Sequence, residues 1–237
     1  MIPEIDLTAL PTARRREMLA AGREIEACYR ALENGGLNIV GEVLRGQGDF
    51  VEIEHYPSDD VFDAETHGQY YYHAHRGNDD EHGHFHTFLR ADGMPEGSRP
   101  IDYPLASDPW PTGDEAISHL VAISMDAWGY PMGLFCTNRW VTAEAWYPAE
   151  QVVAMLDLFA IGHAFPNWAV NRWIAAMVRL YRPYIEELVR QRDAVIADRQ
   201  EKLPGRDVFE DRDLDITTYL PIDVPSLIQR LETLEQP

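Results

Sequence analysis

The stretch "YYYHAHRGNDDEHGHFHTFLR", residues 70–90, holds five of the chain's nine histidines, interleaved with aromatic rings. Two β-like runs, 69–76 and 82–90, are separated by "GNDD", a set of residues that marks a tight turn. Side chains alternate between the faces of a strand. His73 and His75 therefore share one face, and His82, His84 and His86 share one face of the next run. If Arg76 pairs with Glu81, paired residue numbers sum to an odd value. All five histidines then lie on one side of the hairpin, and Tyr70, Tyr72, Ala74, Phe85, Thr87 and Leu89 lie on the other. A slip of one residue would mix polar and apolar side chains on both faces, which is costly where one face must be buried. The odd register is the expected one.

That register makes a dense imidazole patch. Directly opposed residues in a strand pair have Cβ atoms about 4.5–5.5 Å apart. At that spacing several ring nitrogens can converge on one ion, with bonds of about 2.0–2.1 Å for zinc. The expected ligands are His73, His75, His84 and His86, in a subset of three or four. Glu81 and His82 are candidates for a further ligand, a supporting contact or a proton donor. His55 and His119, on neighbouring expected strands, offer further contacts, and His67 lies in a connector. Imidazole suits zinc, copper, iron and nickel, and an added carboxylate shifts the balance toward iron or manganese. Iron or zinc is expected, with copper as an alternative. Two rival readings stand beside this one: a metal-free, hydrogen-bonded polar pocket and an incidental surface cluster.

Outward from the hairpin, "TARRREMLAAGREIEACYRALENGG" has helical spacing with a glycine terminator. "GDFVEIEHYP" alternates like a strand ending at Pro57, and "SDDVFDAETHG" reads as an acidic connector. "AISHLVAISMDAW" and "MGLFCTNRWVTAEAW" read as a strand pair around "GYP". "PAEQVVAMLDLFAIG" has proline at a helix start and Gly162 at its end. A long helical segment follows, with Asn167 as N-cap and a break before Pro183. "ITTYLPI" suggests a short strand and "DVPSLIQRLETL" a closing helix. The reading is an α+β fold with an antiparallel sheet. A single domain is expected, with residues 1–45 helical, 46–147 β-rich and 148–237 mainly helical.

The 237-residue chain is strongly acidic, with forty acids, twenty Lys and Arg, and a formal charge of −20. Such a surface repels phosphate backbones and anionic membranes, so neither nucleic acid nor a membrane is an expected partner. Its 45% hydrophobic content supports a core without disulfides. The two cysteines, Cys28 and Cys136, form no CxxC pair and read as reduced thiols. The first residues carry no apolar core of signal-peptide length, and no apolar run reaches the roughly 18–20 residues of a membrane span. A cytoplasmic location follows as the expectation.

"EHYPSDDVFDAETHGQYYYHAHR", "EHGHFHTFLR", "NRWVTAEAWYPAE" and "VNRWIAAMVRLYRP" resemble an uncharacterised bacterial family of the domain-of-unknown-function type, over roughly residues 15–200. The resemblance carries no activity with it. The segment holding His73, His75 and Glu81 is also similar to the first cupin motif, in which His-x-His and a following Glu bind a metal on a β-barrel. That resemblance implies His73, His75 and Glu81 as ligands. The spacings differ by one residue at both gaps, and "PMGLFC" carries Cys136 where the second cupin motif has histidine.

In "TNRWVTAEAWYP", Arg139 is a candidate clamp for a substrate carboxylate, with a structural ion pair as the plainer alternative. Asp126 and Trp128 precede a turn. Tyr70 and Tyr72 read as core, with pocket lining or a proton shuttle as the alternative, and Trp168, Trp173 and Tyr181 read as core. No phosphate loop, dinucleotide fingerprint, nucleophile elbow or H-E-x-x-H helix is present. The functional expectation is a metal-dependent enzyme, an oxygenase or hydrolase, acting on a small molecule. The alternatives are a non-catalytic metal sensor or carrier and a metal-free binding protein.

Overall fold

The computed structural model describes residues 5–74 and 81–235. Its sheet is one antiparallel meander. Strands β1 (Tyr56–Phe62), β2 (Gly68–His73), β3 (Gly83–Arg90), β4 (Ile117–Met125), β5 (Pro131–Thr137) and β6 (Ile216–Pro221) lie side by side in chain order. The helices are α1 (Thr12–Glu33), α2 (Ile39–Leu44), α3 (Arg139–Thr142), α4 (Ala149–Met155), α5 (Trp168–Leu180), α6 (Arg182–Lys202) and α7 (Val224–Leu234). The class is α+β. The strands leave β1 and β6 at opposite edges of an open sheet, so the barrel implied by the cupin resemblance is not the observed architecture.

The hairpin has the odd register: Tyr72 stands opposite Phe85 and His73 opposite His84. Tyr70, Tyr72, Phe85 and Leu89 join Val121, Ile123, Leu134 and Cys136 in the apolar cluster shared with α1, α5, α6 and α7. Phe85 lies 5.8 Å from Trp173 between ring centroids. The Tyr70 hydroxyl donates to Asn171 Oδ1 at 2.6 Å, so the buried phenol keeps a partner. On the same face at the far edge of the sheet, the Thr218 hydroxyl of β6 donates to the Leu188 carbonyl of α6 at 3.3 Å. Burial of this one face sets the sheet's orientation and turns the histidines to the other.

Several local expectations hold. Asn167 caps α5 by accepting from Ala169 N. The break falls at Tyr181, and Pro183 occupies the first turn of α6, where its missing N–H costs nothing. Asp126 is a turn former, accepting from Trp128 N and Tyr130 N. Trp173 and Tyr181 are buried.

Others do not hold. Residues 49–55 are not a strand: Ile53 takes a positive φ of 76°, and the ladder starts at Tyr56. The acidic "connector" supplies β1, because an edge strand tolerates proline and carboxylates facing solvent. A bulge between Tyr56 and Val61, with Asp60 at φ 55°, absorbs the irregularity. β5 stops at Thr137, where the Asn138 side chain accepts from Arg139 N and opens α3. Trp168 is about half exposed in the first turn of α5, with Arg172 5.6 Å from its ring.

Phe85 is fully buried in the helix-packed face. Phe85→Ala should cost about 3–5 kcal/mol, read as a lowered urea midpoint with an unchanged slope. A loss below about 1 kcal/mol would contradict the observed register.

Candidate metal centre

His73 at the end of β2 and His84 and His86 on β3 bring their ring nitrogens within 4.8 Å of one another. His84 and His86 are fully buried and His73 is 6% exposed. Alternation along β3 puts His84 and His86 on one face, and the register sets His73 directly across from His84. His84 Nε2 and His73 Nε2 lie 2.8 Å apart. Two nitrogens bound to one tetrahedral zinc stand about 3.3 Å apart, from bonds of about 2.0–2.1 Å. Seating an ion between them requires the two nitrogens to part by about 0.5 Å.

The surrounding groups orient these rings. Glu81 Oε1 lies 2.5 Å from His84 Nδ1. A carboxylate only accepts, so this contact places the proton of a neutral His84 on Nδ1 and its lone pair on Nε2. A carboxylate behind a metal-binding imidazole works in the same way. His86 Nδ1 lies 3.0 Å from His119 Nε2 on β4. Burial, and then the charge of Arg192 and the nearby His84, push the His119 pKa down to about 3, so this ring is neutral. When His86 donates from Nδ1 to His119, its Nε2 carries a lone pair. His84 and His86 therefore share a tautomer that presents lone pairs to an ion, whereas His73 Nε2 donates to His84 Nε2 until an ion replaces that proton.

Aromatic rings wall the site. Tyr71 lies 5.2 Å from His73 and 5.1 Å from His86. Phe135 stands edge-on to His84 at 5.2 Å, and Phe88 lies 6.2 Å from His86. His55 stacks on Tyr71 at 3.6 Å and meets Asp60 through Nδ1 at 2.9 Å. It flanks the triad and is not part of it.

The expected residues thus divide. His73, His84 and His86 come together, with Glu81 and His119 behind them. His75 and residues 76–80, where a tight turn is expected, lie outside the described residues. His82 is turned to the opposite side, where its Nδ1 meets the Tyr72 hydroxyl at 2.7 Å. It precedes β3, so strand alternation does not bind it. Gly83 makes the contact possible, because a Cβ there would fall 2.6 Å from the Tyr72 hydroxyl. His67 sits in a turn beside Phe62. Arg139 is buried, with its guanidinium engaged by Asp108 at 2.9 Å, by Glu210 and by the Glu144 carbonyl. That is the structural ion pair, not a free clamp. Cys136 belongs to the apolar core on the opposite face, where burial raises its thiol pKa to about 11.

Glu144 is a contributor that sequence reading gave no role. Its Oε2 accepts from the backbone N of His119 at 2.6 Å, and its Oε1 accepts from Thr142. It anchors the strand that carries His119.

Residues 19–222 match the family described as a domain of unknown function (DUF6969), and the chain belongs to that family. No curated protein and no solved structure matches the chain. Among the described residues, no helix is long and apolar enough to cross a membrane.

Burial raises the Glu144 pKa from 4.5 to about 7, against the opposing pull of Arg192 and the His119 N–H. Folding therefore favours its protonated form. The stability this group contributes is present below pH 4.5 and is lost as pH rises through about 7. Glu144→Gln removes that loss. Relative to the parent protein, the variant should gain roughly 1–3 kcal/mol between about pH 5 and pH 8, measured by urea denaturation at each pH. A flat difference across that window would contradict the raised carboxyl.

Proposed function

We propose that the protein is a metal-dependent enzyme acting on a small molecule, with a transition-metal ion held by His73, His84 and His86. The observation that carries this reading is the convergence of three buried imidazoles, one of them oriented by a carboxylate on its far nitrogen. Three rings this close repel one another when protonated, and a shared ion relieves that conflict. Three protein nitrogens with one position left over is the donor set of catalytic zinc sites. When bound, the ion would polarise an oxygen of water or substrate.

The chain's own groups do the positioning. Glu81 orients His84, and His119 steadies His86. Tyr71, Phe88 and Phe135 exclude bulk water. Iron is favoured over zinc only if Glu81 is itself a ligand. With its carboxylate against His84 Nδ1, that support falls away and zinc becomes the first choice, with copper or iron behind it. His75 remains a candidate for the same ligand set. His82 and Arg139 take no part in the reaction centre, given the partners they already have.

A second reading is a non-catalytic metal sensor or carrier. The near-complete burial of the three rings favours it.

Untagged protein, purified after metal-supplemented expression, should hold close to one equivalent of a transition metal by elemental analysis. His84→Ala should lose it while keeping the fold. Glu81→Gln should weaken binding by about 10–100-fold, the usual effect of removing a group that orients a ligand. Protons compete for imidazole, so affinity should fall steeply as pH drops through about 6.5. Well under half an equivalent in the parent protein would contradict the proposal, as would equal affinity at about pH 5 and pH 7.5.

A further inference from the structure

The register carries the histidine row across two more strands. His73 faces His84, His84 faces Ser124 on β4, and Ser124 faces Gly133 on β5. The neighbours of Ser124 along β4, Ile123 and Met125, belong to the helix-packed cluster. The Ser124 side chain therefore stands on the histidine face, directly beside His84. It is 1% exposed. Among the described residues, no group makes a hydrogen bond with its hydroxyl.

Strand hydroxyls are easily satisfied by a nearby carbonyl, as Thr87 shows by donating to the Val121 carbonyl at 2.6 Å. Burying one without a partner is costly, so such a group calls for an explanation. On the other side of Ser124 stands Gly133, which has no side chain, and the Tyr219 phenol lies where a Cβ would project. The hydroxyl is thus set between His84 and a wall with no Cβ.

The charge balance points the same way. Three imidazoles bring no charge to a divalent ion, and Glu81 offsets only part of it through His84. A four-coordinate ion on three histidines has one position left. We propose that this fourth position faces Ser124 and takes a small exogenous ligand, water or a small anion. The Ser124 hydroxyl donates a hydrogen bond to that ligand. The inference rests on the three-histidine reading and adds to it an open position and the residue that recognises its occupant.

The test uses the full-length protein loaded with cobalt(II), whose visible absorption reports its coordination, and sodium azide as the probe anion. The parent protein should bind cobalt, and its spectrum should shift saturably with azide. Ser124→Ala should bind cobalt within about threefold of the parent. Its azide affinity should fall about tenfold or more, the loss expected of one hydrogen bond to a charged group. Without metal, the variant should be at least as stable as the parent, because it removes an unsatisfied hydroxyl. Failure of the parent to bind cobalt would overturn the three-histidine reading itself. Cobalt binding with no azide response would leave that reading standing and overturn the open position, in favour of a fourth protein donor such as His75. Equal azide affinity in parent and variant, or loss of cobalt from the variant, would overturn the role given to Ser124.

Discussion

The pairing of His73 with His84 decides which side of the sheet is chemistry and which is core. Because side chains alternate strictly along a strand, a slip of one residue would exchange the faces of β3 against β2. Phe85 would then stand among the histidines, and His84 and His86 would face Trp173 and the helices. Tyr70, Tyr72, Phe85 and Leu89 bury a continuous apolar surface only in the observed register. The hydrophobic face is therefore what holds the imidazoles together. The site is a by-product of packing on the side opposite to it, and the energy that fixes its geometry comes largely from rings that never touch an ion.

That division explains what could be read in the sequence. The hairpin register was legible because "HGHFH" and "YYYH" admit one arrangement with a clean apolar face. α1, the Asn167 cap and the break before Pro183 were legible because each is a local signal. β1 was not: residues 49–55 alternate well but join no ladder among the described residues, while the strand that forms carries Ser58, Asp59 and Asp60. Edge strands hide in this way, because half of their backbone and side chains face solvent. His82 escapes the alternation of β3 because it lies one residue before the strand begins. Ser124 gave a faint signal as a polar residue within "LVAISM", but its meaning depends on pairing with His84 across a connection of more than twenty-five residues. Long-range register of that kind cannot be read from one local pattern.

The polar groups around the triad form layers of decreasing exposure to chemistry. The three imidazoles meet at the centre. Behind them stand an acceptor, Glu81, and a ring held neutral by burial, His119. Behind His119 stands Glu144, which holds the backbone of β4. Arg139 engages the carbonyl of that same residue while pairing with Asp108 and Glu210. A side chain that looked like a substrate clamp thus contributes to the scaffold beneath the site. This layering suits a centre whose ring orientations must be set before any ligand arrives.

The central claim is that the hairpin gathers His73, His84 and His86 around one ion. Anomalous diffraction at the zinc absorption edge, from crystals of zinc-loaded protein, tests it most directly. The account predicts a single strong peak bonded to one ring nitrogen from each of the three histidines, at about 2.0–2.1 Å, with Glu81 on the far nitrogen of His84. A strong peak elsewhere, or a triad still joined by the His73–His84 hydrogen bond with no peak beside it, would contradict the account.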